Sequence, residues 1–121
     1  MSAVLPPPEW KGRDVPVLEM LMFIREQLFL GVMPELFLGR LDIELLAAFI
    51  KGYSFALYCR GVLDPQYQAF ITWLRDVKGE FPPGGGWARK CLEVANGEQL
   101  AAIQRFLDLV SEFVVTTGAK G

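Results

Sequence analysis

Gly84, Gly85 and Gly86 run into Trp87 and the basic residues Arg89 and Lys90, a glycine loop leading toward a helix N-terminus. Such a place can hold an anion, because free backbone N–H groups and the helix dipole point outward there. A phosphate cradle also needs a lysine and a hydroxyl residue at fixed offsets after a strand, and neither that spacing nor a strand is found. The expectation here is a flexible connector. Carboxylates pair at Asp42 and Glu44 and again at Asp108 and Glu112. The first pair falls in the opening turn of a helix, where negative charge offsets the positive end, and the second shares one solvated face. Ser54 and Ser111 lie inside helical patterns, outside any GxSxG setting, and the chain has no histidine to act as their base. Lys51 is the remaining candidate base, on a helix where lysine normally carries its ammonium to water. Cys59 and Cys91 have no CxxC neighbour and sit in apolar patterns, so both are expected as reduced, buried thiols. No catalytic residue, cofactor or metal ligand is expected, and the chain is read as a non-enzyme.

The elements that position these residues must come from one domain, since the chain has 121 residues and is 52% hydrophobic. Twelve Lys and Arg against fourteen Asp and Glu give a formal charge of -2, which offers no general attraction to nucleic acid. No basic cluster suits an anionic membrane surface either. A span is excluded by Asp42, Glu44 and Lys51, which interrupt the most apolar segment. The first fourteen residues lack the form of a secretory signal, and the expected location is the cytoplasm.

That apolar segment, Leu41 to Cys59, has Ile43, Leu46, Ile50, Tyr53 and Leu57 on one stripe and Leu45, Phe49 and Ala56 beyond it. The pattern predicts a helix near 42–61, buried most of the way round and central to the fold. Gly52 within it is expected to mark close packing against another helix or ring. Before it, VLPPPEW should form an extended strap over residues 1–13, anchored by Trp10. A helix follows from an Asp14 cap, with Pro16 in its first turn, Glu19 at its positive end and Gly31 as its stop. MPELFLGR allows one helical turn or less. Asp64-Pro65 starts another helix, whose buried stripe runs through Tyr67, Phe70, Ile71, Leu74 and Val77, with Trp73 at its edge. Residues 87–94 read as a short helix with Ala88, Cys91, Leu92 and Val94 inward, or as a strand. Leu100, Ile103, Phe106, Leu107, Val110 and Phe113 predict the last helix. The helical domain covers 14–117, with a frayed tail at 118–121. With no heptad run sustained enough for a coiled coil and no alternating strand pattern, the fold class is all-α: a compact single-domain bundle of about four or five helices around a buried central one.

Tyr53, Tyr58, Trp73, Tyr67, Phe81 and Trp87 are the aromatics able to gather near the glycine loop. Tryptophan and tyrosine dominate many protein interfaces. Trp73, Phe81, Trp87, Arg89 and Lys90 are the expected partner-binding set, with core packing as the alternative for the rings.

The segment Met33 to Leu57 carries a resemblance. Phe37-Leu38-Gly39 closes a proline-containing turn and precedes a helix with Phe49, Gly52, Tyr53 and Ala56 at fixed spacing. A tryptophan-bearing middle helix and a closing helix with Phe106, Leu109 and Phe113 follow. This pattern resembles small immunity-like proteins encoded beside secreted bacterial toxins, although the usual Arg-Pro before the turn is here Val32-Met33-Pro34. The resemblance implies a bacterial protein that binds and blocks one cognate toxin in the cytoplasm of the producing cell, without catalysis. A small adaptor or regulatory domain that binds a peptide or a partner helix between its own helices is the alternative.

Overall fold

Glycine and proline punctuate the chain into six α-helices in the computed structural model, which describes residues 5–83 and 85–118. They are α1 (Val17–Phe29), α2 (Glu35–Leu38), α3 (Ile43–Cys59), α4 (Pro65–Asp76), α5 (Trp87–Val94) and α6 (Gln99–Thr117), preceded by a 3-10 turn at Pro8–Trp10. No strand occurs among the described residues. The fold is an all-α bundle, and residues 87–94 are the helical option of the two the sequence left open. The outer parts of the expected strap and tail, residues 1–4 and 119–121, lie outside the described residues, as does Gly84 of the glycine loop.

Helices α1 and α3 end the same way. Gly31 and Gly61 take positive φ of 91° and 77°, and the next N–H turns back to the helix, Val32 to the Gln27 carbonyl and Val62 to that of Leu57, each at 3.0 Å. Glycine accepts this left-handed position without the Cβ clash any other residue meets. The helix starts are more varied. Asp42 caps α3 through the Glu44 N–H at 2.9 Å, and Asp64 caps α4 through the Tyr67 N–H at 3.3 Å. Asp14 does not cap α1, contrary to expectation: it is exposed and pairs with Arg60, while the first N–H of α1, at Val17, donates to Asp64 at 2.9 Å. One aspartate thus satisfies the open ends of two helices. Gln99 does a similar service from α6, its Oε1 accepting from the Ile43 N–H at 2.8 Å.

The helix expected at the centre is not there. The central position belongs to α6, which packs against α1, α3, α4 and α5 and buries Ala102, Ile103, Phe106, Leu107, Val110 and Phe113. Each large side chain among them contributes about 1.5–3 kcal/mol by leaving water. Its rings organise the interior: Trp87 stacks on Phe106 at 3.8 Å between centroids, and Phe70 meets both Phe106 and Phe113 edge-on. In α3 only Ile43, Leu46, Ile50 and Leu57 are buried, whereas Phe55 and Tyr58 are 69% and 75% exposed. Its apolar excess therefore lies on the outside. Nothing packs on Gly52 either: a Cβ built there meets nothing within 4 Å. The expected intramolecular contact is absent, and the glycine costs this helix about 1 kcal/mol relative to alanine. Val77 and Val94, expected inward, are exposed, because each falls at or beyond the end of its helix, past the neighbour that would cover it.

Candidate functional site

The sequence-predicted set does not form one surface. Trp87 is a core residue, its indole buried flat against Phe106, so it presents no face to a partner. Trp73 is half-buried, packed on Phe70 and Phe113 with the Lys78 ammonium 5.3 Å from its ring centre. Phe81 is half-buried against the core, Lys90 is half-buried on α5, and Arg89 is exposed and paired with Glu93 one turn on. Among the described residues, no two of the six aromatics named from sequence are in ring contact with each other; Tyr53 instead donates its hydroxyl to the Val15 carbonyl at 2.6 Å. Tyr53, Tyr67, Trp73 and Trp87 follow the periodicity of their helices toward the core, Phe81 packs on it from the loop, and Tyr58 points to water.

Several titratable groups hold the fold together. Among the described residues Glu80 is the buried charged one, and Arg105 on α6 holds both of its oxygens, at 2.5 and 3.0 Å. The same guanidinium donates to the Cys91 sulfur at 3.1 Å. Burial pushes the Cys91 thiol up, and Arg105 offsets only part of that rise. The carboxylate of Glu80 holds the Arg105 guanidinium even more firmly protonated than usual. Asp42 is held below its ordinary value by the Glu44 N–H and then by Arg40. Asp108 pairs with Arg25 and Glu112 with Lys78, so the second carboxylate pair bridges to neighbouring elements and does not converge on a cleft. Burial raises the Tyr67 hydroxyl to about 12, helped by the negative charge of Asp64. Cys59, expected buried, is exposed at the last position of α3, and both cysteines are free. Among the described residues no cluster of three His, Cys, Asp or Glu could hold a metal ion. No described helix is long and apolar enough to cross a membrane.

What the surface does offer is apolar and lies elsewhere. At the corner where α1 gives way to α2, Phe29 and Leu30 are 72% and 71% exposed, with Met33 and Leu36 about half exposed beside them in sequence. Arg25, one turn before Phe29, stretches its guanidinium over that ring at 4.8 Å and donates from Nε to Asp108 of α6 at 3.1 Å. The two residues form a ridge. On one side a shallow groove of about 240 Å³ lies between α1 and α6, walled by Leu28, Gln104 and Leu107. On the other a depression of about 370 Å³ runs past Met22 and Phe23 to Pro7 and Trp10. Trp10 fixes that second wall, donating from its indole to Glu19 at 2.8 Å and meeting the Phe23 ring edge-on at 5.1 Å. Arg13 closes on the same Glu19 carboxylate.

The signal for this corner was present in the sequence. Leu28, Phe29 and Leu30 are consecutive, and successive helical residues point about 100° apart, so one buried stripe cannot take all three. No known protein family, characterised protein or solved structure matches the chain.

Proposed function

We propose that this is a non-catalytic protein-binding protein, and within that class an immunity protein that neutralises a cognate bacterial toxin by direct contact at the corner of α1 and α2. The observation that carries the reading is the 72% exposure of Phe29 on a ridge between two open depressions, with Leu30, 71% exposed, next to it in the chain. A ring flanked by grooves lets a partner lay side chains on both of its sides and exclude water from it, the arrangement typical of residues that dominate binding energy. Met33 and Leu36, each about half exposed, follow in the chain and lie within the segment that resembles immunity-like proteins. Glu26 and Glu35 are exposed at its margin, a charge that would speed encounter with a basic partner. Occlusion of a toxin asks for no proton transfer, nucleophile or metal, in keeping with the ion pairs that engage Glu80, Arg105, Asp108 and Glu112. The expected place of action is the cytoplasm of the producing cell.

Co-expression with neighbouring toxin-like genes tests the proposal. Rescue of growth, capture of the toxin by the tagged protein, and loss of both on Phe29→Asp with the fold intact would support it. Truncating a central aromatic anchor commonly costs 2 kcal/mol or more, about 30-fold in affinity. Capture that is unchanged by Phe29→Asp and Leu30→Asp would move the contact away from this corner. Absence of both capture and rescue would remove the immunity reading.

A further inference from the structure

Helix α3 turns an uncharged strip to water, flanked on one side by the exposed Glu44 and Lys51. At 100° per residue, Ala48, Gly52, Phe55 and Cys59 fall within about 60° of one another, directly opposite the buried Ile43, Leu46, Ile50 and Leu57. All four are exposed, and no charged residue interrupts them. With Leu45 they repeat at steps of three and four, the spacing by which one helix seats against another. Glycine weakens this helix, and nothing inside the molecule requires it, since space beside Gly52 is open. A partner's approach supplies the reason that the fold does not.

We infer that the occupant is a second copy of this chain, its α3 lying antiparallel on the first. The seam is complementary to itself. A two-fold axis beside residues 53 and 54 sets Phe55 of each copy into the gap at Gly52 of the other, and Ala48 of each against Cys59 of the other. The large side chain and the hole that receives it thus come from one sequence, three residues apart, which is what an isologous contact demands. Charge agrees with this choice. The seam has no net sign with which to select a foreign acidic or basic helix, and Lys51 and Tyr58, seven residues apart on one flank, meet crosswise in the pair, each ammonium beside the other copy's ring. The exposed parts of Phe55 and Tyr58 amount to roughly 300 Å² per copy, and the whole contact to roughly 1,000 Å², the small end for specific interfaces. A contact of that size belongs to the weak, reversible class.

Sedimentation equilibrium of the full chain between about 1 and about 500 µM tests this directly. The mass should climb from the 13.6 kDa monomer toward twice that value, and Phe55→Asp, exposed and harmless to the fold by circular dichroism, should weaken association at least tenfold. Gly52→Ala should raise the melting temperature of the dilute monomer while weakening the dimer. Under mild oxidation, Ala48→Cys should cross-link to Cys59 of the other copy. The wild-type chain should not, because antiparallel pairing holds the two Cys59 residues about 16 Å apart along the helices, beyond disulfide reach. A chain that stays monomeric throughout, or a Phe55→Asp variant that dimerises like the wild type, would overturn the proposal. Efficient cross-linking through Cys59 alone would overturn the antiparallel register.

Discussion

Arg105 reaches from the middle of α6 to grip both carboxylate oxygens of Glu80, the buried residue that anchors the connection between α4 and α5. That connection is rich in proline and glycine and makes little secondary structure of its own. The ion pair, with the neighbouring Glu80 N–H donating to the Leu74 carbonyl at 2.9 Å, ties it to the body of the protein.

Removing one partner leaves the other stranded. Arg105→Ala should lower stability by about 3 kcal/mol, read as a shift in the midpoint of urea unfolding. Replacing both together, Glu80→Met with Arg105→Leu, should recover most of that loss, because two apolar groups carry no desolvation penalty. An Arg105→Ala variant as stable as the wild type would show that the pair is incidental.

Asp64 accepts from the first N–H of α1 and from the third residue of its own helix, α4. A single cap is worth about 1 kcal/mol, so Asp64→Ala should cost about 2 kcal/mol, roughly twice the loss from Asp42→Ala on α3. Hydrogen exchange should show the difference locally, with faster exchange at Val17 in the first variant only.

Alkaline titration should reach the interior through Tyr67. Its hydroxyl is raised to about 12 by burial and by Asp64, against about 10 in the unfolded chain. The folded state therefore favours the neutral phenol: the stabilisation is fully present below pH 10 and is lost as pH rises toward 12. The loss should be on the order of 2 kcal/mol after allowance for partial exposure, and Tyr67→Phe should flatten the curve. Some slope should persist, since Tyr53 is raised too, by burial first.

The two cysteines should separate under a thiol reagent. Cys59 is exposed, whereas Cys91 is fully buried, with its thiol pushed up by burial. One equivalent should react in the native protein and the second only on unfolding, at a rate set by opening of α5 from α6. Two fast equivalents would mean that α5 is loose on the bundle.

Helix boundaries were largely legible because their signals are local. Asp64-Pro65 and the glycines at 31 and 61 act through their own backbone, and the apolar spacing from Leu100 to Phe113 reports one face of one helix. What was illegible depends on distant partners. The apolar surplus of α3 gives no hint that α6 takes the centre and leaves Phe55 and Tyr58 outside. Asp14 and Asp64 are equally good caps by type, and only the folded chain brings Asp64 to Val17, 47 positions away. Trp87 beside a glycine loop looks like a surface anchor until Phe106 is set beneath it. The corner at Phe29 was half legible, in three successive apolar residues that no single helix face can bury.

The position of α6 in the chain bears on how the protein is made. The helix on which α1, α3, α4 and α5 all rest is translated after every one of them. Until it emerges from the ribosome, Leu18, Leu21, Leu46 and Phe70 have only the contacts of α1 with α3 and α4 and of α3 with α5 to settle on, and the nascent chain carries them less shielded than the finished fold does. The largest share of burial is thus deferred to the end of this segment, the stage of synthesis at which exposed apolar surface most needs protection.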